Sequence, residues 1–151
     1  MQGDRHPFLS HLEYFFQTEV RLYFIMPFIK GGDLYRLLKI KKRLAENAVR
    51  FFITQIVLAV GKLHDLNIMH RDMKLENIMI EENGYLKLID YGLAKFLEQG
   101  DVATTKAGTV EYFAPEMIST SKKRGYDKQA DWWAVGIIAF ELLTGVTPYH
   151  H

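Results

Sequence analysis

The dipeptide Asn83-Gly84 lies between two runs rich in apolar residues, "NIMI" ahead of it and "YLKLI" behind it. An Asn-Gly pair in that setting is the strongest short-range signal for a β-hairpin, because both residues tolerate the positive φ of a two-residue type I′ turn. With that turn, Glu82 faces Tyr85, Ile80 faces Lys87 and Ile78 faces Ile89. At the open end Asn77 then faces Asp90. Directly opposed side chains bring their Cβ atoms to about 4.5–5.5 Å. The turn therefore predicts an amide oxygen and a carboxylate at one point. These are hard oxygen ligands of the kind that hold Mg2+ bridged to phosphates. Asp72 and Lys74 come a few residues earlier, in "HRDMKLEN", and are expected to stand over the same point. A carboxylate there can accept a hydroxyl proton, and an ammonium can neutralise a phosphoryl oxygen. An acid–amide pair at a hairpin mouth also serves as a plain local hydrogen bond, so the pair alone does not decide the matter.

Composition narrows the alternatives. The chain has 151 residues, 48% hydrophobic and 25% charged, enough for one modest domain with a core. A net charge of +1 gives no electrostatic footprint for nucleic acid. The basic runs Lys39–Arg43 and Lys122–Arg124 read as solvated faces or loops. There is no cysteine, hence no disulfide or thiolate metal site. A reducing compartment, cytoplasmic or nuclear, is the expectation. The six histidines show no metal-ligand spacing, and His150-His151 reads as a chain-end pair. The longest apolar run, Trp132 to Phe140, is too short to span a bilayer.

Along the chain, the aromatic-rich segment from His11 to Met26 predicts two strands, about His11–Gln17 and Arg21–Met26, turning near Thr18-Glu19. Asp33 is placed to N-cap a short helix through Lys39. A long helix is expected over Glu46–Asp65, with Val49, Phe52, Ile53, Ile56, Val57, Val60 and Leu63 on one apolar face. A last helix, about Lys128–Thr144 with Gly145 as C-cap, is apolar on nearly every face and is expected to be buried. Glu141 within it needs a partner.

The order His70-Arg71-Asp72-x-Lys74-x-x-Asn77, then Asp90-Tyr91-Gly92, then Ala114-Pro115-Glu116 resembles the protein-kinase signature. The likeness extends over essentially the whole chain. Lys74 two residues after Asp72, and Thr109 in "AGTVEY", are similar to the serine/threonine branch. "HPF", "FIMPFIKGGDLY", "AGTVEYFAPE" and "ADWWAVGIIAFELLTGVTPY" resemble the AGC group. The resemblance implies an α+β fold, with the hinge, the first half of the helical lobe and two strands of the small lobe. It implies ATP and Mg2+ as cofactors. Asp72 is then the catalytic base, with Lys74 on the γ-phosphate and Arg71 beside them; Asn77 and Asp90 are the metal ligands. Met26 is the gatekeeper; Pro27 and Ile29 read adenine, Met79 lies under it, and Asp33 lines the same cleft. Asp33, Glu76 and Glu141 fall where the group binds arginines of protein substrates, and Thr109 stands by the acceptor hydroxyl. Thr105, four residues before Thr109, is the implied phosphorylation site for an upstream activating kinase, with Arg71 as its phosphate partner.

Three departures stand out. Tyr91 replaces the usual Phe, so its hydroxyl needs a partner. His70 follows the general kinase pattern rather than the Tyr of many AGC members. The Gly-rich loop, strand lysine and helix glutamate of a full kinase are not among these residues, and neither is the usual arginine partner of Glu116. The expectation is a partial kinase domain, 1–151, with no more than trace activity by itself. A non-catalytic kinase-like binding module is the competing reading.

Overall fold

The structure, a computed structural model, describes residues 5–118 and 125–149. The basic run Lys122–Arg124 and the pair His150-His151 lie outside the described residues. The aromatic segment forms an antiparallel hairpin, β1 (Tyr14–Gln17) and β2 (Leu22–Ile25), with Tyr14 opposite Ile25 and Gln17 opposite Leu22. Phe16 and Tyr23 stack across it with ring centroids 4.6 Å apart. Both strands are shorter than expected, and most of their side chains are exposed.

Chain direction reverses at Gly31-Gly32, which dock on the next hairpin. Gly31 N donates to the Ile80 carbonyl (2.9 Å) and Ile80 N donates to the Gly32 carbonyl (2.8 Å). A Cβ on Gly31 would sit 2.3 Å from that Ile80 oxygen, so no other residue fits this approach. Helix α1 (Leu34–Lys41) follows, capped as expected by Asp33, whose carboxylate accepts from Arg36 N. Helix α2 runs Glu46–Asp65, the span read from the sequence, and Ala45 provides no side-chain cap. Its apolar face holds with one exchange. Val57 is exposed, and Gln55 and Ala59 are buried instead. Gln55 is useful there because its Oε1 accepts from Leu86 N (2.8 Å), tying α2 to the central hairpin.

That hairpin is β4 (Ile78–Ile80) and β5 (Leu86–Leu88), after a short β3 (Ile68–Met69). Its register differs by one residue from the type I′ expectation: Ile78 pairs with Leu88, Met79 with Lys87 and Ile80 with Leu86. Glu81 N donates to the Tyr85 carbonyl and Gly84 N to the Glu81 carbonyl, which leaves a three-residue loop, Glu82-Asn83-Gly84. Only Gly84 has positive φ (85°), while the Asn83 amide oxygen accepts from Tyr85 N. This is the type I turn followed by a left-handed residue that three-residue loops favour. Asn77 therefore pairs with Ile89, whose N–H reaches the Asn77 carbonyl at 2.9 Å. Asp90 lies one residue beyond the opposed position, not across from Asn77.

Strand β6 (Lys95–Phe96) pairs with β3, an element the sequence reading did not contain. The chain continues through a 3₁₀ turn at Val110–Tyr112 and the short α3 (Pro115–Ile118) to α4 (Gln129–Thr144). Helix α4 packs on α2 around Val60, Leu63, Ile138 and Leu142, and Leu34 joins them. The expectation that this helix is buried holds for the side that carries Ala134, Val135, Ile138 and Leu142 and is corrected for Trp133, Phe140 and Leu143, which are exposed. A second cluster of Met69, Leu97, Ala103, Met117 and Tyr126 fixes the later loops, with Ala103 and Tyr126 bridged as isolated antiparallel partners.

Candidate active site

Four of the sequence candidates meet in one knot. The segment from His70 to Lys74 leaves β3 irregularly, because Arg71 takes φ of +69°, a conformation that non-glycine residues rarely hold. Asp131, in the first turn of α4, holds it there. Its Oδ2 accepts from His70 N (2.9 Å), its Oδ1 accepts from Arg71 N (3.0 Å), and His64 Nε2 lies 2.9 Å from Oδ2. The His70 ring is fully buried, with Nε2 at 3.2 Å from the Ile89 carbonyl and Nδ1 accepting from Asp72 N. Burial holds its pKa below the usual imidazole value, against the pull of Asp131 and the Ile89 carbonyl. The ring is therefore neutral, with its proton on Nε2.

Asp72, the next link, is 8% exposed. Its Oδ2 lies 2.8 Å from Lys74 Nζ, and its Oδ1 accepts from Thr109 Oγ1 at 2.8 Å. Lys74 Nζ also donates to Thr109 Oγ1 (3.1 Å), closing a ring of three side chains. Asn77 Nδ2 donates to the Asp72 carbonyl and to its Oδ2. Burial by itself would raise the Asp72 carboxyl. The bonds from Lys74, Thr109 and Asn77 outweigh it and hold the group below the ordinary Asp range. Lys74 moves the opposite way, raised chiefly by its bond to Asp72. Both are charged at neutral pH.

With its nitrogen committed to Asp72, Asn77 keeps its amide oxygen for another ligand. Asp90 is exposed at φ +61° and uses Oδ1 to accept from Gly92 N. Among the described residues no three acidic or histidine side chains converge as a metal cage. An amide oxygen and one carboxylate fit an ion that takes its other ligands from phosphates and water, the habit of Mg2+.

The remaining candidates are spread around this knot. Met26 shares a cavity of about 490 Å³ with Asp90, Tyr91 and Gly92. Pro27 and Ile29 line an adjoining cavity of about 550 Å³ with Glu81, Asn83 and Lys87, and Ser10 and His11 border both. Met79 bridges Asp33, so β4 and the entrance to α1 lie side by side. The Asp33 side chain is engaged as a helix cap. Glu141 is buried and has found its partner: Tyr112 Oη donates to Glu141 Oε2 at 2.6 Å. Burial raises the Glu141 pKa, Tyr112 opposes that, and the nearby charge of exposed Glu76 adds to it. Arg71 uses Nε on the Leu93 carbonyl. Thr105 is exposed, its carbonyl accepting from Tyr126 Oη (2.7 Å), and Arg71 makes no hydrogen bond to it among the described residues. Gly108 packs straight onto the Arg71 carbonyl, where a Cβ would come within 2.2 Å.

Asp131, His64 and Tyr112 are the residues the sequence reading missed. The argument that singled out Glu141, that a carboxylate in an apolar helix needs partners, applies equally to Asp131 in the first turn of the same helix.

A family model for the protein kinase domain matches residues 1–151. Ribosomal protein S6 kinase alpha-6 of Danio rerio is 43% identical over 145 residues, and the human ribosomal protein S6 kinase alpha-3 likewise 43%. Serine/threonine-protein kinase AtPK1/AtPK6 of Arabidopsis thaliana is 44% identical over 144 residues. Each match covers 95% of this chain. The chain spans 19% of the two ribosomal kinases and 30% of the plant kinase. These relatives agree with the AGC-type, serine/threonine resemblance of the sequence. With its whole length matched and its site residues in the signature's order, the chain belongs to the protein kinase domain family.

Proposed function

We propose that this chain carries the phosphoryl-transfer centre of a serine/threonine protein kinase that uses ATP and Mg2+. The observation that carries the reading is the closed ring of Asp72, Lys74 and Thr109. An ionised carboxylate is held 2.8 Å from the Thr109 hydroxyl, so its oxygen is already accepting from an alcohol. A substrate serine or threonine hydroxyl binding at Asp72 would hand its proton to that carboxylate as its oxygen attacks the γ-phosphorus and the bond to the ADP oxygen breaks. Lys74 would neutralise charge on the transferred group. Asn77 and Asp90 would hold Mg2+, which neutralises charge on the β- and γ-phosphates when bound. Asp131 keeps Asp72 in place through the two backbone amides before it, and His70 through its own. Positioning of this kind is most of what a kinase supplies, because the transition state is loose and its demands are electrostatic.

The substrate preference we propose is basophilic. Burial raises the Glu141 pKa and the charge of Glu76 adds to it, so an arginine guanidinium beside the two carboxylates would relieve a like-charge cost. The full-length protein should be incubated with Mg2+, labelled ATP and a peptide library varied before a central Ser or Thr. Label on the hydroxyl amino acids, strongest with arginine two or three residues earlier, supports the reading. Label that favours acidic or proline-directed peptides overturns the preference. ATP binding without any transfer overturns the catalytic reading in favour of a binding module.

A further inference from the structure

Tyr91 follows Asp90 directly, and its hydroxyl is not used by the chemistry above. The ring packs edge-on against His70, with centroids 5.6 Å apart, and joins the main core. Its Oη donates to the Leu88 carbonyl at 3.0 Å, three residues back. The same carbonyl accepts from Ser10 N (2.9 Å), and Leu88 N donates to the Phe8 carbonyl (2.8 Å). One oxygen at the end of β5 thus joins the metal-ligand turn to the separate segment Phe8–Ser10. Ser10 Oγ, beside the phenol, is the one buried side-chain polar atom among the described residues with no hydrogen-bond partner. The Tyr91 oxygen, which donates to Leu88, keeps its lone pairs free to accept from the Ser10 hydroxyl. The turn needs restraint, because Asp90 is exposed and its φ of +61° is seldom populated by L residues. A phenylalanine at 91 would keep the packing against His70 and lose the tie to Leu88.

We propose that the Tyr91 hydroxyl is a positioning group: it latches the Asp90 turn to the Leu88 carbonyl and to Ser10, and so sets how well Asp90 binds Mg2+ with nucleotide. This rests on the assignment of Asp90 as a metal ligand. A neutral hydrogen bond is worth about 1 kcal/mol net, a factor of about five in the population of the latched turn. Ser10 contributes only through Tyr91, so its removal has no further effect once the phenol oxygen is gone.

The test compares wild type, Tyr91→Phe, Ser10→Ala and the double variant in the full-length protein. Two quantities are measured: calorimetric affinity for ADP with and without Mg2+, and amide hydrogen exchange of residues 90–93 without any ligand. Tyr91→Phe is expected to weaken Mg2+-dependent ADP affinity about five-fold, to leave metal-free affinity unchanged, and to speed exchange at the turn by a similar factor. Ser10→Ala should do the same more weakly and add nothing to Tyr91→Phe. Unchanged exchange and affinity in Tyr91→Phe overturn the latch, as does an equal loss with and without metal. A wild-type protein that binds ADP with no help from Mg2+ instead overturns the metal-ligand assignment, and the latch with it.

Discussion

Replacing Asp131 by alanine should test whether the site is held from the helix behind it. Asp131 is 2% exposed and accepts from two backbone amides, His70 N and Arg71 N, with the His64 ring at 2.9 Å as a third contact. Alanine leaves all three donors without their acceptor. Each buried orphan costs about 1–3 kcal/mol, and water entering the gap recovers some of it, so the net loss is about 3–6 kcal/mol. Against a total stability of about 5–15 kcal/mol that is severe. For a domain of this size it corresponds to a fall in Tm of about 10–20 °C. Arg71 then loses the bond that fixes its amide at φ +69°, and the relaxation moves Asp72, the next residue. A displacement of about 1 Å costs roughly 100-fold in turnover. Asp131→Asn keeps one acceptor oxygen and should lose less than alanine in both measures. Urea unfolding and steady-state turnover of the full-length variants are the assays. A loss under about 1 kcal/mol for Asp131→Ala would refute the reasoning, as would Asp131→Asn matching it, since the number of acceptors would then not set the stability.

Two further outcomes are expected. The folded pKa of His70 is depressed by burial, so below the ordinary value of 6.5 the unfolded chain takes a proton that the folded chain refuses. Stability then falls with decreasing pH by up to about 1.4 kcal/mol per unit from this one group; His70→Tyr should flatten the curve between pH 7 and 5, and an unchanged slope in urea midpoints would contradict this. Thr105→Ala in the full-length protein should lower turnover by at least ten-fold while Thr104→Ala does not, because a phosphate on exposed Thr105 is expected to draw the Arg71 guanidinium from the Leu93 carbonyl; full activity in Thr105→Ala, or loss in Thr104→Ala alone, would misplace the switch.

How far the sequence carried the fold depended on the range of the interactions. Helix α2 was legible to the residue because its periodic face and flanking breaks are local. The central hairpin was legible as a hairpin but not in register. Asn-Gly is compatible with a type I′ pair and with a three-residue loop, and the choice was made by the Asn83 side chain bonding Tyr85 N and by Gln55 on α2 taking Leu86 N. The second of these crosses from one element to another, which no local pattern reports. The same holds for β3 and β6, two residues each and paired across 26 positions from Met69 to Lys95. At the site, Asp72, Lys74 and Asn77 were legible because they lie within one short segment. Thr109 closes their ring from 35 residues beyond Lys74 and was found only through the resemblance. Asp131 was missed because an acid near a helix start reads as ordinary capping charge.

Single-turnover phosphoryl transfer by Asp72→Asn, with ATP affinity measured on the same sample, tests the assignment of the centre most directly. Asparagine keeps the shape and can still meet Thr109 Oγ1, but it cannot take a proton at neutral pH. Transfer to a serine peptide is expected to fall at least about 100-fold, with ATP affinity within about three-fold of wild type. Transfer at the wild-type rate would contradict the role of Asp72, and with it the reading of the ring as the catalytic centre.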